Sequence, residues 1–396
     1  MPQARLEDLN LSGKRVLVRE DLNVPIEDGR ISDATRIHAA VPTLRDLRAR
    51  GAKVIVMSHL DRPGGKVVES LRLAPIARAL GDALSCDVTA VSDCIGDIAA
   101  QALAGMKNGD VALLENLRFH PGEEANDPAF AQALAALGDI YINDAFGTAH
   151  RAHASTVGIT EYVPSYMGPL LAREIEILDR VLQHPHRPFI AVLGGAKVSD
   201  KIGVLERLLG ICDAVVVGGG MANTLLAAEG FDVGKSLRDP DLGPAQAIMQ
   251  RAESAHANVH LPTDTVLATS PLATDEQTRE APVSEVSPDE MILDIGPDTA
   301  VDFRFVILKA KTVLWNGPMG VFENDAFSAG SESVAKAIVD SGALSVVGGG
   351  DTAAAAHKFG LADKMTHIST GGGATLEYIE GKELPGIAAL RKKASA

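Results

Sequence analysis

Short apolar runs recur along the chain, and each stops abruptly. In the first half VLVRED ends at Arg19–Asp21, KVIVMSHLDR at His59–Arg62, VALLENLR at Glu115–Arg118 and DIYIND at Asn143–Asp144. In the second half FIAVLGG ends at Gly194–Gly195, AVVVGGG at Gly218–Gly220, TVLWNG at Asn316–Gly317 and SVVGGG at Gly348–Gly350. Short Val/Ile/Leu runs that alternate with helix-like segments read as buried parallel strands of βαβ units. Between them, residues 34–51 place Ile37, Val41, Leu44 and Leu47 three and four apart, so one helical face is apolar. Residues 127–138 also read as helix.

The same pattern divides the chain. Pro164, Gly168 and Pro169 break the first half, Leu171, Ile175, Leu178 and Leu182 then repeat at helical spacing, and Pro185 and Pro188 end the segment. This predicts an N-terminal domain over 1–168, a linker helix over 169–187 with hinges at its ends, a C-terminal domain over 188–378 and an apolar tail over 379–396. Residues 260–297 are rich in turn formers and predict a small β-excursion. The fold class is α/β, with two doubly wound parallel-sheet (Rossmann-like) domains joined by a linker helix and hinge.

In such sheets ligands bind beyond the carboxyl ends of the strands. The first half offers side chains there. Strand alternation puts Val16, Val18 and Glu20 on one face and Leu17, Arg19 and Asp21 on the other, with Asn23 just beyond. His59, Arg62, Arg118 and Arg151 follow later strands, and Arg36 opens the first amphipathic helix. Any one arginine reads equally as solvated surface. Several together, with an Asp and an Asn able to read hydroxyls, point to a small anion, because guanidinium groups match carboxylate and phosphate oxygens in pairs.

The second half offers backbone. GGAKVSDKI (194–202) runs from strand to glycine to helix but lacks the Walker spacing, and Lys197 and Lys201, four apart, are predicted on one helical face. Gly218, Gly219 and Gly220 repeat the entry, Asn316 and Glu323 lie in WNGPMGVFE, Gly349 and Gly350 precede Asp351 and Thr352 at a predicted N-cap, and Gly371–Gly373 open another helix. Helix N-termini attract phosphate through free N–H groups and the macrodipole. Asp351 suits either simple capping or Mg²⁺ on a nucleotide.

Composition narrows the field. A net charge of −15 over 396 residues disfavours nucleic acid and requires any phosphate site to focus its cations in one cleft. No apolar stretch approaches the roughly 20 residues that span a bilayer, so no membrane partner is expected. The N-terminus lacks a secretory pattern, and three scattered cysteines (Cys86, Cys94, Cys212) suit reduced thiols in a cytoplasmic protein. The pairs His150/His153, His184/His186 and His256/His260 have no acidic or cysteine partner at ligand spacing, so no zinc site is read. No GxGxxG with a following acidic residue indicates a dehydrogenase.

REDLNVP, SHLDRP, LENLRFHPGEE, NDAFGTAHRAHAST, GGAKVSDKI, GGGMANT, WNGPMGVFE, GGGDT and GGGA stand in this order over essentially the whole chain. In order and spacing they resemble the phosphoglycerate kinase family. The resemblance implies reversible transfer of the acyl phosphate of 1,3-bisphosphoglycerate to ADP, giving 3-phosphoglycerate and ATP. It also implies Mg²⁺ carried as MgADP or MgATP, no organic cofactor, a monomer, and a tail that returns to the N-terminal domain. By motif, Arg19, Asp21, Asn23, Arg36, His59, Arg62, Arg118 and Arg151 would bind the glycerate. Lys197, Lys201, Gly218, Gly219, Asn316, Glu323, Gly349, Gly350, Asp351 and Thr352 would bind the nucleotide, with Asp351 holding the metal. Arg36, Lys197, Lys201 and Gly372 would act on the group in transfer. Two positions depart from the family: Glu20 replaces a small apolar residue and Asp61 a glycine, and both side chains are expected to point away from the anion. A catalytically silent binding protein and a kinase of another small carboxylate are the rival readings.

Overall fold

The apolar runs of the first half form parallel strands because they are buried on both faces, as Val16, Leu17 and Val18 of β1 (Arg15–Arg19) show. The computed structural model describes residues 6–27, 29–196, 199, 201–254 and 257–395. After β1 come a small hairpin, β2 (Ile26–Glu27) with β3 (Arg30–Ile31), then α1 (Thr35–Ala49), β4 (Lys53–Met57), α2 (Ala74–Leu84), β5 (Val88–Ala90) and α3 (Gly96–Ala104). The unit continues with β6 (Val111–Leu113), α4 (Pro121–Glu124), α5 (Pro128–Ala135), β7 (Ile140–Asn143) and β8 (Ser165–Met167). Its sheet runs β5-β6-β4-β1-β7-β8, every neighbour parallel. Ile37, Val41, Leu44 and Leu47 of α1 pack with Val16, Val18, Val54 and Val56 in one core.

Next comes α6 (Pro169–Gln183), whose Leu171, Ile175, Leu178 and Leu182 are all buried. The Asp144 carboxylate, at the end of β7, accepts from the backbone N–H groups of Leu170 and Leu171 at 2.7 and 3.0 Å, which fixes the start of this helix. The chain divides into two compact units inside α6: one is Met1–Ile175 with Glu383–Ala396, the other Glu176–Lys382.

The second unit holds β9 (Phe189–Leu193), α7 (Ile202–Leu209), β10 (Ala214–Val217), α8 (Gly219–Ala228), α9 (Gly243–Ser254) and β11 (Asn258–His260). A three-stranded antiparallel excursion follows, of β12 (Asp264–Ala268), β13 (Arg279–Pro282) and β14 (Met291–Ile295). The unit is completed by α10 (Pro297–Ile307), β15 (Thr312–Asn316), α11 (Ala329–Ser341), β16 (Leu344–Gly348), α12 (Gly350–Lys358), β17 (His367–Ile368) and α13 (Gly373–Glu380). Its sheet runs β11-β10-β9-β15-β16-β17, again all parallel. Counting only these strands in chain order gives 3-2-1-4-5-6, the order of dinucleotide-binding sheets, with the reversal between β9 and β15.

The last helix, α14 (Pro385–Ser395), belongs to the first unit. Leu384, Ile387 and Leu390 are buried, and the Gly386 N–H donates to the Ala149 carbonyl at 2.9 Å. Among the described residues no helix is long and apolar enough to cross a membrane.

Candidate functional site

Each unit carries a candidate site at the carboxyl ends of its strands. In the first, Arg19 is the last residue of β1, and its side chain is 1% exposed. The guanidinium donates to Ser155 Oγ at 2.9 Å, to His59 Nδ1 at 3.2 Å and to the Glu20 carbonyl. Ser155 is held in turn by fully buried Glu123, which accepts from its hydroxyl at 2.6 Å and its N–H at 2.9 Å. Asp21 lies 3.5 Å from the Arg36 guanidinium, which donates to the Asn23 carbonyl at 2.7 Å. The Asn23 side chain accepts from the Asp61 N–H at 2.9 Å, and Arg118 donates to the Asp61 carbonyl at 2.7 Å. Asn116 fixes the approach of these loops by donating to the Leu60 carbonyl at 2.8 Å and accepting from the Arg118 N–H at 3.1 Å.

The electrostatics agree with one cationic cluster. Burial, and then Arg19, Arg118, Arg36 and His153, hold the His59 pKa well below the usual imidazole range. Burial, Arg118, Arg19, Arg151 and His150 push His153 down to about 4. Both imidazoles are therefore neutral at pH 7, and the positive charge resides on guanidinium groups. The structure thus gathers Arg19, Asp21, Asn23, Arg36, His59, Arg118 and Arg151. Arg62 stands exposed in the loop beside Asp61, outside these hydrogen bonds. Ser155, Glu123, His153 and Asn116 were assigned no role from sequence, although all four lie in the quoted motifs; Ser155 and Glu123 act through Arg19, and Asn116 through the main chain of Leu60 and Arg118.

Glu20, just beyond β1, is not turned into water. It is 1% exposed, Oε1 has no hydrogen-bond partner, and burial followed by the Asp144 charge raises its pKa well above the usual carboxyl range. Asp61 has φ 52, a left-handed conformation that glycine adopts freely and aspartate tolerates. Its main chain, not its carboxylate, makes the contacts with Asn23 and Arg118.

In the second unit a cavity of about 470 Å³ is lined by Gly195, Ala196, Gly219, Gly220, Asn223, Lys235, Leu237, Met291, Leu293, Pro318, Met319, Gly320, Val321, Glu323 and Asp351, among others. Its floor is backbone against backbone. Gly317 has φ 106, and a Cβ there would stand 2.2 Å from the Gly194 carbonyl oxygen. A Cβ on Gly218 would lie 2.6 Å from Met319 Sδ; Gly218 therefore packs under the cavity, while Gly219 and Gly220 line it. The amides of Gly218 and Gly219 are already bonded, to the Leu193 and Met319 carbonyls.

Two expectations change here. The helix α7 starts at Ile202, so Lys201 is its N-cap residue and not part of a helical face shared with Lys197. The Lys201 ammonium folds back onto the carbonyls of Gly194 and Asn316, at 2.8 and 3.2 Å; Lys197 itself lies outside the described residues. The N-cap of α12 is Gly349, with no side-chain cap, which leaves Asp351 exposed in the first turn and removes the capping explanation for it. Thr352 is buried, and its hydroxyl accepts from the Gly317 N–H at 2.7 Å, joining two of the glycine turns. Asn316 likewise donates to the Gly348 carbonyl at 2.8 Å. Glu323 is exposed at the cavity rim, and Gly350 and Gly372, with nothing within 4 Å of a Cβ, stand open at the starts of α12 and α13. Asp294 was not read from sequence: it is among the buried residues that line the cavity, accepts from the Ile295 and Gly330 N–H groups, and burial pushes its pKa up to about 7.

Converging guanidinium groups in one parallel α/β unit and a glycine-floored cavity in the other define a two-unit α/β protein built to receive anions. A family model described as phosphoglycerate kinase matches residues 6–382. The phosphoglycerate kinases of Pelotomaculum thermopropionicum and Moorella thermoacetica are 51% and 52% identical to it, each over 394 residues, covering 99% of this chain and all of theirs. The solved phosphoglycerate kinase of Coxiella burnetii superposes with a TM-score of 0.87 at 41% identity, covering 99% of this chain and 100% of that one. That of Pyrococcus horikoshii gives 0.85 at 36%, covering 99% of each. The chain belongs to the phosphoglycerate kinase family.

Proposed function

We propose that the chain catalyses reversible transfer of the acyl phosphate of 1,3-bisphosphoglycerate to ADP, giving 3-phosphoglycerate and ATP. One observation carries the assignment of sites: Arg19, Arg36, Arg118 and Arg151 converge on neutral His59 and His153 in the first unit. Such a cluster suits a carboxylate and a phosphate on a small glycerate, with Asp21 and Asn23 placed to read its hydroxyl. The glycine-floored cavity suits a base and ribose, with Glu323 at its rim, and the open glycines of α12 and α13 offer N–H groups to phosphates. Asp351 fits Mg²⁺, which takes hard oxygen ligands and binds through one or two carboxylates plus substrate phosphates. When bound, the ion neutralises phosphate charge.

The attacking group is already an anion in either direction, so no general base is needed. The two cluster histidines agree, since pKa values held below the usual range make them poor proton acceptors at pH 7. What the residues supply is position and positive charge. Each cation at the group in transfer, Arg36 and Lys201 among them, is worth roughly 3 kcal/mol, a factor of about 10² to 10³. Direct transfer also excludes water and requires a joining step between the two sites, for which α6 is the natural joint. The same reading has the protein act as a monomer in the cytoplasm.

A coupled assay with 3-phosphoglycerate, MgATP and glyceraldehyde-3-phosphate dehydrogenase tests this, with NADH oxidation dependent on all three as the expected result. Binding of both substrates without turnover would make it a silent binding protein. Turnover only with a different carboxylate would move the substrate assignment.

A further inference from the structure

Strands β5 and β6 pair in parallel at one edge of the first sheet, so the loops leaving their carboxyl ends run side by side. Those loops bring together Asp93, Cys94 and His120, with one donor atom from each lying within 4.8 Å of the others. His120 Nε2 donates to Asp93 Oδ1 at 2.7 Å, and the Cys94 N–H donates to the same oxygen at 2.7 Å. Cys94 is fully buried, whereas Asp93 and His120 are each 31% exposed. The group is therefore closed on the protein side and open towards solvent, and none of its members belongs to the arginine cluster.

We propose that Asp93, Cys94 and His120 form a binding site for one thiophilic divalent cation of the Zn²⁺ class, with water as fourth ligand. A thiolate sulfur, an imidazole nitrogen and a carboxylate oxygen are the three donor types that Zn²⁺ takes in tetrahedral sites. With bonds of about 2.0–2.3 Å, donors around such an ion stand roughly 3.3–3.8 Å apart. Small side-chain movements from the present separations reach that geometry. On binding, the Cys94 thiol releases its proton to solvent, and the His120 proton moves from Nε2 to Nδ1 so that the Nε2 lone pair faces the ion. A nucleophilic role for the thiol fits less well: burial and the carboxylates of Asp93, Glu123 and Glu115 all raise its pKa, while the same negative surroundings favour a cation. The site would pin the β5–α3 loop to the turn Leu117–Phe119, which carries Arg118. Histidine spacing could not reveal it, since Cys94 and His120 are brought together only by strand pairing.

The test is titration of metal-free, full-length protein with Co²⁺, read by absorbance. A sulfur-to-cobalt charge-transfer band in the near ultraviolet that saturates at one equivalent and is displaced by Zn²⁺ is the expected result. A cation held by carboxylates and phosphates at a nucleotide site gives no such band, so the outcome is independent of the kinase reading. Cys94→Ser abolishes the band. His120→Gln and Asp93→Asn, at half-exposed positions that leave the circular dichroism spectrum unchanged, weaken Co²⁺ binding by about 10-fold or more. The proposal is overturned by absence of the band in the unmodified protein, by its persistence in Cys94→Ser, or by unchanged affinity in both other variants.

Discussion

The two units share a parallel six-stranded architecture and use its strand ends in opposite ways. The first presents charged side chains, each held by other side chains: Arg19 by Ser155 and Ser155 by Glu123. The second presents main chain, with glycine turns in contact through their carbonyls and tied together by Thr352 and Asn316. The guanidinium groups come from separate elements, Arg19 from β1, Arg36 from α1 and Arg118 from the turn after β6, so each can be changed without touching the others. A backbone wall cannot be altered without moving the turns that build it. Electrostatics differ too, since the first unit buries neutral histidines among cations, while the Asp294 carboxyl of the second is shifted by burial and held by backbone N–H groups.

The largest expected effect comes from giving the second wall a side chain. Gly317→Ala places a Cβ against the Gly194 carbonyl at positive φ, and strain plus overlap should cost about 5 kcal/mol. Thermal unfolding should show this loss, and calorimetry should show nucleotide binding lost while 3-phosphoglycerate still binds. Equal loss of both ligands would mean that the two walls are not independent.

Next in size is the pH dependence of the second unit. The Asp294 pKa is raised above the ordinary carboxyl value of about 3.8, so its contribution is present below that pH and is lost as pH rises through about 7. That loss amounts to about 4 kcal/mol by pH 7. Asp294→Asn gives up one acceptor and starts less stable at pH 5, but denaturant midpoints should then change little up to pH 8. A variant with the unmodified protein's slope would remove Asp294 from the account.

Arg36→Ala tests the first wall. Turnover should fall by about 10² to 10³, or roughly 3–4 kcal/mol, with the unfolding midpoint and the nucleotide KM nearly unchanged. A rise in the glycerate KM alone would reduce Arg36 to a positioning role. The smallest effect belongs to His153, whose pKa is depressed to about 4, so its contribution is present above about 6.5 and is lost as pH falls towards 4. About 3 kcal/mol disappears over that range, opposite in direction to Asp294, and His153→Gln should flatten it in acid denaturation curves. Persistence of the full acid slope would assign it elsewhere.

Much of the first site was legible because charged residues stood where buried apolar runs stop, and a parallel sheet admits few readings of that. Arg19, His59 and Arg118 stand at such ends, whereas Arg151 lies further along the loop after β7 and counted only together with the other arginines. Their supports were not legible: Ser155 and Glu123 are ordinary residues of helical and turn segments until folding brings them under Arg19. Glycines in the second half signalled strand–turn–helix entries correctly. Their distribution between cavity lining (Gly219, Gly220) and structural contact (Gly218, Gly317) depends on which turns touch. Lys201 was misread because helical spacing was extended back through residues that precede α7.

The chain's own order of residues determined the two α/β layers, the amphipathic helix at 169–183 and the polar or glycine character of each strand end, because these follow from local period and burial. Only the tertiary structure decided the strand order, the neutral state of His59 and His153, the burial of Glu20 and Asp294, and the meeting of Asp93, Cys94 and His120. The physical reason is that desolvation and charge–charge interactions depend on distance in space, and residues far apart in the chain acquire that distance only when strands pair.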